Sequence, residues 1–266
     1  MITASWIAAL AALFLWWFST GAILLVVRLS AGGRGRATLW SLPFLGGGLA
    51  GLAISMSQTD IASIYLGFAS ALAIWGWIEL AFLTGIITGP NAYPCPPDSP
   101  PFERFIRAWG TIAYHECLLV LIAIALCLLS WDQPNPIGAW CFGILFVARV
   151  SAKLNLFFGV PRFNVEFLPA HLAHLPSHFR IARMNWFFPI SVTILSALVA
   201  WFIARAGHAE TAAAAASQVL LATLSALALL EHWLLVLPLP DAKLWRWMLP
   251  EQKQVHMNAR EERHGI

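Results

Sequence analysis

Apolar residues run along this chain in seven blocks, each close to the roughly 20 residues that a helix needs to cross a bilayer. The blocks fall at 5–27, 37–56, 61–88, 109–130, 137–158, 186–206 and 211–237. This pattern predicts an all-α fold, a polytopic transmembrane helix bundle of about seven spans filling residues 1–237. The weakest block is 37–56, where Pro43 and Gly46-Gly47-Gly48 loosen the helix. Such small residues are tolerated where a neighbouring helix packs closely. The longest polar stretches, 89–108, 159–185 and 238–266, leave no soluble domain to be cut out. Pro238 and Pro240 stop the last helix, and Lys243-Leu244-Trp245-Arg246-Trp247-Met248 follows. Tryptophans mixed with basic residues suit a segment lying flat at the interface. Residues 238–266 are therefore expected to form a cytoplasmic interfacial segment and tail.

Composition sharpens this picture. Of 266 residues, 59% are hydrophobic and 11% charged, with a mean hydropathy of +0.72. Soluble domains carry about 25% charged residues, so the polar surface that a water-soluble globule needs is missing. The 14 tryptophans fit membrane interfaces, where a ring is half wet and half apolar. A net charge of +3 gives no reason to invoke nucleic acid. The four cysteines form no CxxC pair, and they read as small hydrophobes. Met1–Ser5 carries no basic side chain and the first Arg is Arg28, so the first block reads as a retained helix and not a cleaved signal. With the N-terminus outside, 13 of the 16 Lys and Arg residues fall in inward segments and only Arg205 is left outside. Charge bias of this kind sets orientation, so the expected topology is N-out/C-in.

Ionisable residues inside a membrane are costly and are candidates for function, with pairing for structure as the usual competitor. Under this topology Glu79 of the third block, His115 and Glu116 of the fourth, Arg149, Lys153 and Asn155 of the fifth, and Glu231 and His232 of the seventh reach one depth. The loop after the fifth block adds His171, His174 and His178, spaced to share one face if a short helix runs from Pro169 through Pro176, though the break that Pro176 favours would take His178 off it. Three readings stay open. Glu79, His115, Glu116, His171, His174, Glu231 and His232 are the ligand types of a non-haem metal. Pairs such as Glu79–Arg149 or Glu231–Lys153, with Arg149, Lys153 and Asn155 in a polar network, would neutralise buried charge. A neutral imidazole could also hold the magnesium of a chlorophyll-type ring or hydrogen-bond a quinone carbonyl. Trp16-Trp17-Phe18 reads as packing, Thr84-Gly85 and Gly89-Pro90 as helix termination. No Walker loop, dinucleotide fingerprint or GxSxG elbow occurs. The blocks show no inverted repeat with paired broken helices, which argues against a transporter.

Several pieces recur together in one known group. They are Trp16-Trp17-Phe18-Ser19-Thr20-Gly21, Glu79 with Thr84-Gly85 and Gly89-Pro90, Tyr114-His115-Glu116, and Asn155 with Gly159-Val160-Pro161. Leu168-Pro169-Ala170-His171-Leu172, Ser177-His178-Phe179, Glu231-His232-Trp233 and Leu244-Trp245-Arg246-Trp247 complete the set. In this order the chain resembles the PuhE-type photosynthetic complex assembly proteins of phototrophic proteobacteria. The resemblance implies a multi-helical protein of the bacterial inner or intracytoplasmic photosynthetic membrane. Its genes group around the reaction-centre H subunit, and it is implicated in assembling the reaction-centre/light-harvesting complex and modulating bacteriochlorophyll supply. Partners would be membrane lipid and photosynthetic complex subunits or pigment-synthesis machinery. The group brings no catalytic residues with it. His178 departs from its pattern, in which a Tyr is expected. The competing expectation, drawn from the His and Glu residues, is a di-metal oxygenase-like membrane oxidoreductase acting on a pigment, isoprenoid or quinone.

Overall fold

The computed structural model describes residues 2–30, 33–163, 165 and 168–238. Eight α-helices follow one another: α1 (Ile2–Leu29), α2 (Arg34–Trp40), α3 (Leu42–Met56), α4 (Ile61–Leu83), α5 (Pro101–Leu129), α6 (Ile137–Phe158), α7 (Phe187–Gly207) and α8 (Ala212–Leu234). With α2 and α3 taken together, seven helical segments are long and apolar enough to cross a membrane. No strand occurs among the described residues, only an isolated bridge from Val160 to Ile181. The interfacial segment expected at Lys243–Met248 lies outside the described residues.

Local chemistry sets most helix ends. Asp60 caps α4, its carboxylate accepting from Ala62 N and Ser63 N at 2.9 and 3.1 Å. Thr211 caps α8 through Ala214 N at 3.1 Å. The block expected at 37–56 breaks at Ser41, which ends α2 and opens α3 with Pro43 in its first turn. α4 stops at Leu83 and not at 88, because Gly85 takes φ +81° and lets Ile86 N return to the Ala81 carbonyl. α5 starts at Pro101, eight residues before the apolar block expected at 109. Its first turns carry charges that hydropathy rejects but a helix accepts, and Arg107 meets Glu103 one turn away at 2.7 Å. The last two spans differ from the expected blocks only at their ends.

The bundle is centred on α4, α6 and α8. Half of α8 and 44% of α4 are buried in the protein, against 17% of α1. α7 packs along α8 and α3 along α4, while α1 lies against α8 and α4. Small residues allow the close α3–α4 approach: a Cβ on Gly48 would stand 3.1 Å from Ser70 O. The main core joins Ala8 and Ala12 of α1 to Phe68 of α4, Cys141 of α6 and Leu220 and Leu224 of α8. The face of α5 carrying Tyr114, Leu121, Ile124 and Leu128 is exposed, the normal lot of a lipid-facing helix side.

The basic connections gather at one end of the bundle. Thr38 and Thr84 share a 2.8 Å hydroxyl contact, and Ser177 Oγ accepts from Cys95 N at 2.9 Å. Arg104 Nη2 donates to the Phe157 and His178 carbonyls at 2.8 and 2.9 Å, tying the start of α5 to the end of α6 and the following loop. The segment after α4 lies directly on α5: Asn91 N donates to Gly110 O and His115 N to Thr88 O, both at 3.0 Å.

Between α6 and α7 the chain makes two short 3-10 turns, Ala170–Leu172 and Leu175–His178. Pro176 opens the second turn, so the continuous helix that would put His171, His174 and His178 on one face does not form. His178 is buried, with Nδ1 3.3 Å from the His174 carbonyl. Burial pulls the His178 imidazole below its ordinary value of 6.5, and the carbonyl of His174 only partly opposes this. Between that lowered value and 6.5 the unfolded chain takes up a proton that the folded loop refuses. Stability is therefore steady above pH 6.5 and falls as the pH drops below it. Melting temperatures taken from about pH 7.5 down to about pH 5.5 should decline, and His178→Tyr should flatten that decline.

Candidate functional site

α6 is the hub of the polar interior. Arg149 and Lys153, one turn apart, serve α4 and α5, while Ser151 and Asn155 serve α8 and α7. Arg149 Nη2 donates to Glu79 Oε2 at 2.5 Å, with Glu79 buried and 38% of the Arg149 side chain exposed. Lys153 pairs with Glu116 and lies 5.8 Å over the Phe82 ring. His232 Nδ1 sits 2.8 Å from the Ala228 carbonyl, an acceptor, so in the neutral ring Nε2 accepts from Ser151 Oγ at 2.9 Å. Asn155, fully buried, donates to Ser151 O at 3.0 Å and Ser191 Oγ at 2.8 Å and accepts from Asn185 at 3.0 Å.

The expected Glu79–Arg149 pair is thus present, whereas the alternative Glu231–Lys153 pair is not. Lys153 turns to Glu116, and Glu231 accepts from Trp16 Nε1 at 3.0 Å. Among the described residues Glu231 has no basic side chain at ion-pair distance. Charge inside a membrane is tolerated when paired in this way, because each partner replaces hydration that the bilayer withholds. His115 is fully buried, its ring tilted on Phe82 at 4.6 Å, with Nε2 3.8 Å from Glu79 Oε1. Neither of its ring nitrogens has a hydrogen-bond partner among the described residues.

The seven candidate metal ligands do not converge. Among the described residues no three His, Cys, Asp or Glu side chains stand together as a metal site. The reason is visible in the pairs: the carboxylates of Glu79 and Glu116 face Arg149 and Lys153, cations that repel a metal ion. His171 lies instead against the last turn of α4, where a Cβ on Gly85 would come within 2.8 Å of its ring. His174 stands in the loop after α6, and His232 is committed to Ala228 and Ser151.

Glu79, Arg149 and Glu231 share a cavity of about 380 Å³ between α1, α4, α6 and α8, walled also by Trp16, Trp75 and Gly76. A larger one, about 600 Å³, lies at the opposite end beside Trp140, Trp201 and Arg205 and holds none of the candidates. Sequence reasoning missed Trp16, Ser151 and Asn185 as partners. For Trp16 the sequence offers only an indole N–H inside an apolar block, where Trp mostly packs.

These features define a class: a seven-span helical membrane protein whose interior charges are largely neutralised by pairs between helices. The chain belongs to the family described as "Protein of unknown function (DUF3623)", which it matches over residues 2–256. It is 50% identical, over 249 residues, to a Rhodobacter capsulatus protein described as "Uncharacterized 30.4 kDa protein in puhA 5'region". That alignment covers 92% of this chain and 91% of the relative. No solved structure matches the fold.

Proposed function

We propose that this protein is a membrane-embedded assembly factor for the bacterial photosynthetic reaction-centre/light-harvesting complex, acting also on bacteriochlorophyll supply. The observation that carries this reading is the near full-length relative whose name places it in the puhA 5' region. PuhE-type proteins, which the chain resembles, are grouped with the reaction-centre H subunit, in agreement with that location. The architecture suits the role. α1 and α5 offer long apolar faces to the bilayer, where helices of a complex under assembly are met. The basic connections lie at one end, which supports an N-out/C-in placement with that end in the cytoplasm.

Deleting the gene in a phototrophic host tests the role. Near-infrared absorption of isolated membranes should show less assembled complex, restored by the gene in trans. Unchanged complex and pigment levels would end the proposal.

A further inference from the structure

We infer that the cavity between α1, α4, α6 and α8 binds a neutral, ring-bearing lipid of the quinol/quinone class. This goes beyond the assembly role and does not depend on it. The cavity, about 380 Å³, is walled mostly by apolar side chains with Ser19 and Thr20 among them, and its charged groups are Glu79, Arg149 and Glu231. Two carboxyl groups there face one guanidinium, because Lys153 is turned to Glu116 and does not line the space. An excess of acid on the wall disfavours phosphate or carboxylate headgroups, the commonest polar ends of membrane lipids.

What remains unmet among those charged groups selects the ligand. The Arg149 guanidinium gives Nη2 to Glu79, yet over a third of the side chain stays open. Glu231 is exposed and takes one hydrogen bond, from the Trp16 indole. Polar groups in an apolar site cost free energy until they are paired. A ring with a carbonyl on one edge accepts from Arg149, and its hydroxyl donates to Glu231. Trp16 and Trp75 give flat faces beside these groups. The volume is at the low end of small-molecule sites, about 300–1,000 Å³. It accommodates one substituted ring with the start of a tail and is too small for a tetrapyrrole macrocycle with its tail.

The test uses the full-length protein in detergent, titrated with decylubiquinol and with decylubiquinone, with tryptophan fluorescence and melting temperature as readouts. Saturable, one-to-one binding and a raised melting temperature are expected. Ala152→Phe, which fills the cavity, should abolish saturation. Glu231→Gln should weaken the quinol about tenfold, the loss of a hydrogen bond to a charged group, and the quinone far less. Dodecanoate should not compete. Non-saturable quenching shared by wild type and A152F, or dodecanoate competing as strongly as the quinol, would overturn the inference. If A152F does not fold, Gly76→Leu replaces it, since a side chain at that position would project toward Ile23 of α1, 3.3 Å from its Cβ.

Discussion

Glu79→Ala should lower the stability of the purified protein by about 2–4 kcal/mol. Breaking a fully buried ion pair costs about 3–5 kcal/mol, because the surviving charge is left without a partner. The figure here is set lower, since 38% of the Arg149 side chain stays exposed and can recover some solvation. The loss should come from stranding Arg149 and not from losing a favourable contact, so Glu79→Leu with Arg149→Met should regain most of it. Heating aliquots in detergent and measuring the folded fraction by size exclusion gives all four corners of the cycle. A coupling below about 0.5 kcal/mol would show that the two residues act independently.

Gly89→Val should cost at least as much, for a wholly different reason. The backbone of 88–91 lies directly on α5, and a Cβ at Gly89 would stand 2.7 Å from Thr111 C and 2.8 Å from Ala113 N. Those neighbours are main chain and cannot rotate aside. The valine must lift the segment, which loses the hydrogen bonds from Asn91 N to Gly110 O and from His115 N to Thr88 O. Overpacking of about 1–3 kcal/mol and two hydrogen bonds of about 1 kcal/mol each add to roughly 3–5 kcal/mol. Gly46→Val should have little effect by comparison, because nothing stands within 4 Å of a Cβ there. The same melting assay checks both, and equal losses would refute the close approach.

Seven spans were legible because apolar length is a local property, and so was the list of costly side chains. Their pairing was not. Glu116 and Glu231 look alike as acids near Lys153, and only the packing of α5 against α6 decides for Glu116. Helix ends failed where charge and helicity part company, as in the first turns of α5, where Arg104 serves two carbonyls outside its own helix. Spacing alone would align the loop histidines only in a continuous helix, and Pro176, the breaker visible in the sequence, restarts the turn. Trp16 was read as packing, since hydropathy ignores an indole N–H that needs an acceptor 215 residues away.

That last distance has a bearing on biogenesis. α1 has its main protein contact, through Ala8, Ala12 and Trp16, in α8, which is made some 215 residues later. At about 5–20 residues per second, translation needs roughly 10–40 s to supply that partner. Throughout this interval α1 must wait in lipid or against the insertion machinery without α8. Ribosome-stalled chains ending before α8 should therefore leave the amino-terminal helix open to crosslinking, while release of the whole chain should shield it.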